Sequence, residues 1–124
     1  MASKRTLIID DSLSTRMMTT SMLAKLCPDW TVVQAKDGAD ALTKCEEDEF
    51  DNCLVDVNMP GIDGFEVAAL LREKYPVAHI CMLTANIQSK IQDRAAAAGF
   101  QFLAKPVTPE KLEKFISACE DKDS

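Results

Sequence analysis

The sequence predicts an α/β protein in which a five-stranded parallel sheet carries helices on both faces. Five short apolar runs alternate with five segments whose apolar residues recur at helical spacing. Such alternation favours parallel strands, because each helix returns the chain across one face of the sheet. Right-handed crossovers favour a doubly wound arrangement, although periodicity does not give the strand order. We expect one domain over residues 1–124, with its core from about residue 5 to residue 120.

The first strand, helix and second strand are marked by apolar runs and a capping residue. Residues 6–9 are predicted to form a buried strand, and Ser12 to cap the helix that follows. The predicted apolar face of this helix comprises Met18, Met22, Leu23 and Leu26. Pro28 ends the helix, and residues 31–35 form the second strand. We expect the methionines, including Met17, to pack on the helix face rather than line a groove for a partner.

The middle of the chain continues the same alternation. Asp37 and Gly38 form a turn into a second helix, which carries Leu42 and Cys45. The third strand covers residues 52–55 and leads directly to Asp56. Asp63 is predicted to cap the third helix. The inward residues of that helix are Val67, Ala68 and Leu71.

The last third of the chain contains two more strands and two more helices. Residues 78–83 and 100–103 are the predicted strands, and Gly99 ends the helix between them. Thr108 and Pro109 are predicted as the cap and the first residue of the final helix. The inward faces are Ile87, Ile91, Ala95 and Ala98 on one helix, and Leu112, Phe115, Ile116 and Cys119 on the other.

Composition excludes several classes of function. The net charge of −6 argues against nucleic acid as a direct partner, because phosphate backbones require a basic face. No segment approaches the roughly 20 apolar residues of a membrane span, and no secretory signal is present, so we expect no membrane contact and a cytoplasmic location. The five cysteines are an odd number without CxxC spacing, and we expect them to be reduced and structural.

Polar residues follow four of the five predicted strands at their carboxyl ends. Asp10 and Asp11 follow the first strand, Asp56 the third, and Thr84 the fourth, while Lys105 lies just past the fifth. Because ligands of such sheets bind beyond the carboxyl ends of the strands, these side chains are expected to meet at one edge. We refer to Asp10, Asp11 and Asp56 as the acidic cluster.

The acidic cluster suits a magnesium ion and phosphoryl chemistry. Three close carboxylates repel one another unless they bind a cation, share a proton or receive a positive side chain. An oxygen-only ligand set suits Mg²⁺. A carboxylate can attack phosphorus to give an acyl phosphate, with Lys105 and the metal neutralising the phosphoryl oxygens and Thr84 donating a hydrogen bond.

Each of these residues also has a simpler interpretation. Asp10 and Asp11 could serve as helix-capping acids, and Asp56 as a turn residue. Lys105 alone reads as a solvated surface lysine, and Phe102 on a strand reads as a core residue. The complete set at one edge, rather than any single residue, favours a functional site.

Four segments resemble the receiver domain of two-component response regulators. They are residues 10–12, 56–64, 84–85 and 105–106, which read DDS, DVNMPGIDG, TA and KP. The similarity runs through essentially the whole chain, as in the single-domain members of that CheY-like family. It implies a flavodoxin-like sheet in the order 2-1-3-4-5 with five helices.

The resemblance implies a role for each member of the acidic cluster. Asp56 would accept the phosphoryl group. Asp11 and Asp56 would ligate Mg²⁺ directly together with the backbone carbonyl of Asn58, while Asp10 would act through a bound water. The side chains of Asn58 and Asn86 would flank the attacking water and tune dephosphorylation.

The resemblance also implies a switch beside the phosphorylated residue. Thr84, Ala85 and Lys105 would bind the phosphoryl group, and Thr84 and Phe102 would move together on phosphorylation. A phenylalanine stands at the family's aromatic position, where tyrosine would add a hydroxyl. The peptide bond between Lys105 and Pro106 would be cis, in keeping with the low cis penalty of proline.

The partners that the resemblance implies are proteins. A histidine kinase or a histidine phosphotransfer protein would donate the phosphoryl group. A downstream protein target would bind the face made by the fourth helix, the fifth strand and the fifth helix. We expect a monomer or weak dimer. Its only chemical activities would be self-phosphorylation and autodephosphorylation. Chemotaxis is the pathway suggested by analogy alone.

Two other functions share this chemistry. An aspartate-nucleophile phosphatase of the haloacid dehalogenase type needs an acid two residues after the nucleophile, where this chain has Asn58, and places its motif on the first strand. A pseudo-receiver would lack at least one of Asp11, Asp56, Thr84 and Lys105, and all four are present.

Overall fold

All five strands are parallel and form one sheet in the order β2-β1-β3-β4-β5. The structure is a computed structural model that describes residues 4–85 and 88–122, with side chains to residue 119. The strands are β1 Arg5–Ile9, β2 Thr31–Ala35, β3 Asn52–Asp56, β4 His79–Thr84 and β5 Gln101–Ala104. The helices are α1 Leu13–Leu26, α2 Gly38–Glu47, α3 Gly64–Lys74, α4 Ser89–Ala97 and α5 Pro109–Lys122. The predicted doubly wound α/β fold is confirmed, together with the strand order that the resemblance implied.

The strand order reverses at β1, which places a crevice at one edge of the sheet. The chain first adds β2 on one side of β1 and then β3 on the other. Ligands of such sheets bind where the order reverses, beyond the carboxyl ends of the strands. Ile9 pairs with Val55 across β1 and β3, so Asp10 and Asp56, each the next residue along, lie side by side at this point.

Two hydrophobic cores hold the sheet between its helices. Successive strand residues point to opposite faces, so Leu7 and Ile9 enter one core while Ile8 enters the other. The first core packs beneath α2, α3 and α4, and the second beneath α1 and α5. The strands that lead to the acidic cluster, β1 and β3, are therefore buried on both faces.

The predicted helix ends are confirmed where capping residues marked them. Ser12, Asp63 and Thr108 each accept a backbone N–H from the first turn of α1, α3 and α5. Gly99 has φ of 80° directly after the C-cap of α4, a conformation that a Cβ would strain.

Some predicted boundaries are wrong by one residue. Ala78 and Phe100 precede β4 and β5 instead of opening them, although both side chains are buried. Ala98, predicted to face inward, is the exposed C-cap of α4. Ile87, assigned to the same face, lies outside the described residues.

The predicted apolar face of α1 is partly wrong. Met17 and Met18 are 57% and 55% exposed, whereas Thr19 and Leu23 have no exposed surface. Met22 packs against the second core as predicted. The buried face of α1 is centred on Thr19 and Leu23, with Met22 and Leu26 packed beside them, and this orientation turns Met18 toward solvent.

All five cysteines are buried thiols, and burial raises the pKa values of Cys53 and Cys81 above their usual range, consistent with packing as small hydrophobic residues. Among the described residues, no helix is both long enough and apolar enough to cross a membrane.

Candidate functional site

Asp10 is fixed at the end of β1 by its backbone and its side chain. Its N–H donates to the carbonyl of Ala35 at the end of β2, at 3.1 Å. Its Oδ1 accepts the N–H of Ser12 at 2.9 Å, and its Oδ2 lies 2.7 Å from Nζ of Lys105. The residue has no exposed surface, so this carboxylate is held by contacts with the protein.

Asp56 is the last residue of β3 and lies beside Asp10 in the crevice. Its Oδ1 accepts the N–H of Asn58 at 3.2 Å and lies 3.4 Å from Nζ of Lys105. Burial, and then the charge of Asp10, raise the pKa of Asp56 to about 6 from its usual value of 3.8, against the opposing effect of Lys105. Additional positive charge near Asp56 would therefore stabilise its ionised form.

Asp11 completes a group of carboxylates that fits a hard cation. One oxygen from each of Asp10, Asp11 and Asp56 lies within 4.8 Å of the others. Asp11 is exposed while the other two are buried, so the group opens to solvent on one side. Oxygen ligands without histidine or cysteine suit Mg²⁺, which keeps several waters and takes one or two carboxylates.

Lys105 supplies positive charge from the loop after β5. Its backbone N–H donates to the carbonyl of Thr84 at 2.8 Å, which anchors the loop beside the end of β4. Burial lowers the pKa of the Lys105 ammonium, but its contacts with Asp10 and Asp56 outweigh burial and raise it. The ammonium is thus charged at neutral pH. The peptide bond between Lys105 and Pro106 is cis.

The remaining predicted residues lie around these charges. Thr84 ends β4 and is fully buried, and Ala85 after it is exposed. Phe102 on β5 is partly buried against the first core. The exposed Asn58 lies two residues beyond Asp56. Asn86 lies outside the described residues.

Gly64 has a role that the sequence did not reveal. A Cβ at this position would lie 2.1 Å from the backbone oxygen of Asp56 and 2.8 Å from Cα of Val57. The N–H of Gly64 donates to the carbonyl of Val57 at 3.1 Å. The start of α3 therefore packs directly on the backbone of Asp56, and a glycine following the cap Asp63 was the available signal.

A parallel 2-1-3-4-5 sheet with this acidic crevice defines a CheY-like α/β protein. The sequence matches the response regulator receiver domain family over residues 6–117, and the chain belongs to that family. Receiver domains accept phosphoryl groups, bind Mg²⁺ at an acidic pocket, and interact with histidine kinases or phosphotransfer proteins and with downstream targets.

Individual relatives support the assignment. The sensor protein EvgS of Escherichia coli is 37% identical over 112 residues, which are 90% of this chain but only 9% of EvgS. The structure of the chemotaxis protein CheY4 of Vibrio cholerae matches with a TM-score of 0.85 and 34% identity, covering 95% of this chain and 99% of that one. The response regulator TrrA of Thermotoga maritima, solved in complex with Mg²⁺ and BeF, matches with a TM-score of 0.81 and 28% identity, covering 94% and 98%.

Proposed function

We propose that Asp56 accepts a phosphoryl group from a phosphohistidine, on a histidine kinase or a histidine phosphotransfer protein, as the input step of two-component signalling. The observation that carries this proposal is the position of the Lys105 ammonium, 2.7 Å from Asp10 and 3.4 Å from Asp56 in the crevice of the sheet. A buried carboxylate beside a lysine ammonium is suited to nucleophilic attack on phosphorus.

The transfer uses the two oxygens of Asp56 differently. Both contacts described for its carboxylate fall on Oδ1, so Oδ2 is the oxygen assigned to the attack on phosphorus. The new O–P bond forms as the P–N bond to the donor imidazole breaks, and the imidazole leaves with the bonding electrons. Lys105 then contacts the phosphoryl oxygens, since its ammonium already lies beside Asp56.

The acidic cluster provides the cation site for this step. Asp11, Asp56 and the backbone carbonyl of Asn58 would hold Mg²⁺ directly, with Asp10 acting through a bound water. The bound ion would supply positive charge to the phosphoryl oxygens. The grouping of the three carboxylate oxygens within 4.8 Å supports this assignment, as does the Mg²⁺ complex of the related TrrA.

The output is assigned to protein contact. Thr84 would respond to phosphorylated Asp56 with Ala85 beside it, and Phe102 would turn inward and reshape the face of α4, β5 and α5 for a downstream target. Asn58 and Asn86 would set the lifetime of the acyl phosphate. Similarity to CheY4 supports chemotaxis as the pathway to test first. In this proposal residues 1–124 act as one receiver domain.

Intact-mass measurement after incubation with acetyl phosphate and Mg²⁺ tests the proposal. Wild type should gain one phosphate, and Asp56→Asn none. Asp29→Asn, which changes an exposed carboxylate beyond the far end of α1, is the matched control and should gain phosphate like wild type. Equal labelling of Asp56→Asn and wild type, or no labelling of wild type, contradicts the proposal.

A further inference from the structure

Arg16 joins three elements behind the acidic cluster. It lies on the first turn of α1, and its Nη1 donates to the backbone carbonyl of Asp10 at 2.7 Å. Its Nε donates to the side-chain oxygen of Gln34 at 3.2 Å. Gln34 precedes Ala35, whose carbonyl accepts the N–H of Asp10. The guanidinium therefore connects α1, the end of β1 and the end of β2.

The contact with Arg16 completes the fixing of Asp10. The N–H of Asp10 bonds to Ala35, its Oδ1 to Ser12 and its Oδ2 to Lys105, while Arg16 holds its carbonyl. The residue has no exposed surface. Of these four contacts, only the hydrogen bond from Arg16 is to the carbonyl oxygen of Asp10. It therefore sets the direction of the peptide bond between Asp10 and Asp11.

We propose that Arg16 is a positioning residue for the cation site of the acidic cluster. The carbonyl of Asp10 and the nitrogen of Asp11 belong to one planar peptide. Holding the carbonyl oxygen in place therefore also holds the position of the Asp11 nitrogen. Burial does not hold the exposed Asp11 carboxylate, and its direction therefore depends on this backbone. The inference rests on the proposed function, because it assumes that the acidic cluster binds Mg²⁺.

Charge and positioning predict opposite effects for the loss of Arg16. A positive charge beside the cluster repels Mg²⁺, so charge alone predicts tighter metal binding when Arg16 is removed. Positioning predicts weaker binding, because the ligands would no longer be held toward one point. Residues that orient metal ligands typically change affinity by about 10-fold or more when they are removed. The sign of the change separates the two effects.

Isothermal titration of the full chain with MgCl₂ makes the comparison. Arg16→Met should bind Mg²⁺ about 10-fold more weakly than wild type. Gln34→Met should bind more weakly as well, although it leaves every charge in place. Arg16→Lys, which keeps the charge and can donate to the Asp10 carbonyl, should recover part of the loss. Lys25→Met removes one charge from α1 about 13 Å further along the helix and should match wild type.

Amide hydrogen exchange measured without metal provides a second readout. Arg16→Met should speed exchange at Asp10 and Ser12 and leave Ile8 on the buried strand unchanged. Arg16→Met that binds Mg²⁺ as tightly as wild type, or more tightly, overturns the proposal. If that variant does not fold, an unchanged affinity in Gln34→Met overturns it instead. Wild type that binds no Mg²⁺ overturns the proposed function, and the role of Arg16 with it.

Discussion

The ammonium of Lys105 lies 2.7 Å from the carboxylate of Asp10, a residue without exposed surface. The same ammonium lies 3.4 Å from Asp56, so one cation serves two buried acids. Lys105 therefore stabilises the acidic cluster in the absence of metal, in addition to the role proposed for it in binding the phosphoryl group.

The variant Lys105→Met should lose stability because it leaves the buried carboxylate of Asp10 without its cation. Removing one partner of a buried ion pair costs about 3 to 5 kcal/mol, and the partial exposure of Lys105 brings our expectation to about 2 to 3 kcal/mol. Urea unfolding at pH 7 without Mg²⁺ measures the change. Lys25→Met is the control for loss of one surface lysine, and a Lys105→Met loss no larger than that of this control would contradict the argument.

The ionised side chain of Asp56 should destabilise the fold at neutral pH. Its pKa is raised from 3.8 to about 6, so the native state binds the proton more tightly than the unfolded chain does. The resulting stability is present below about pH 4 and is lost as the pH rises through about 6. Asp56→Asn should therefore be more stable than wild type at pH 7.5 without Mg²⁺, by about 1 to 3 kcal/mol.

Denaturant unfolding of both proteins between pH 4 and pH 7.5 checks this expectation. The difference should shrink as the pH falls, because wild-type Asp56 becomes protonated and resembles the amide. A difference that stays constant over this range would mean that the charge of Asp56 is not its origin. Adding Mg²⁺ should stabilise wild type more than Asp56→Asn.

The sequence was sufficient to predict the sheet and the position of the acidic cluster. Apolar runs that end in Asp10, Asp56 and Thr84 indicate both where strands lie and which residues follow them. The sequence placed Lys105 at the same edge as the carboxylates but did not predict its contacts with them. The distances from its ammonium to Asp10 and Asp56 depend on how the loop after β5 folds back.

Other features depend on packing that periodicity does not record. The apolar spacing of α1 includes Met18, whereas the fold buries Thr19 and leaves Met18 exposed. The bond from Arg16 to Asp10 crosses from a helix to the end of a strand and requires the three-dimensional structure. No pattern of residue types indicated it.

Magnesium should stabilise the wild-type chain by relieving repulsion within the acidic cluster. A ligand that binds only the native state contributes about 1.4 kcal/mol when its free concentration is ten times Kd. For a domain of this size that corresponds to a rise of roughly 5 to 6 °C in Tm. Thermal unfolding with and without millimolar MgCl₂ measures it. Asp11→Asn should lose most of the rise, while Asp29→Asn should keep it, and equal rises in both variants would place the metal elsewhere.

The two glycines that follow β3 should tolerate alanine very differently. Gly64→Ala would bring a Cβ within 2.1 Å of the backbone oxygen of Asp56, so α3 must move away from the site. We expect a loss of at least about 3 kcal/mol, at the upper end for overpacking, and slower phosphorylation by acetyl phosphate. Gly61→Ala meets no atom within 4 Å, and its φ of 82° should cost only about 1 to 2 kcal/mol. Urea unfolding and intact-mass labelling of the pair check this. Equal losses in both variants would mean that the close approach of Gly64 to Asp56 is not what requires glycine there.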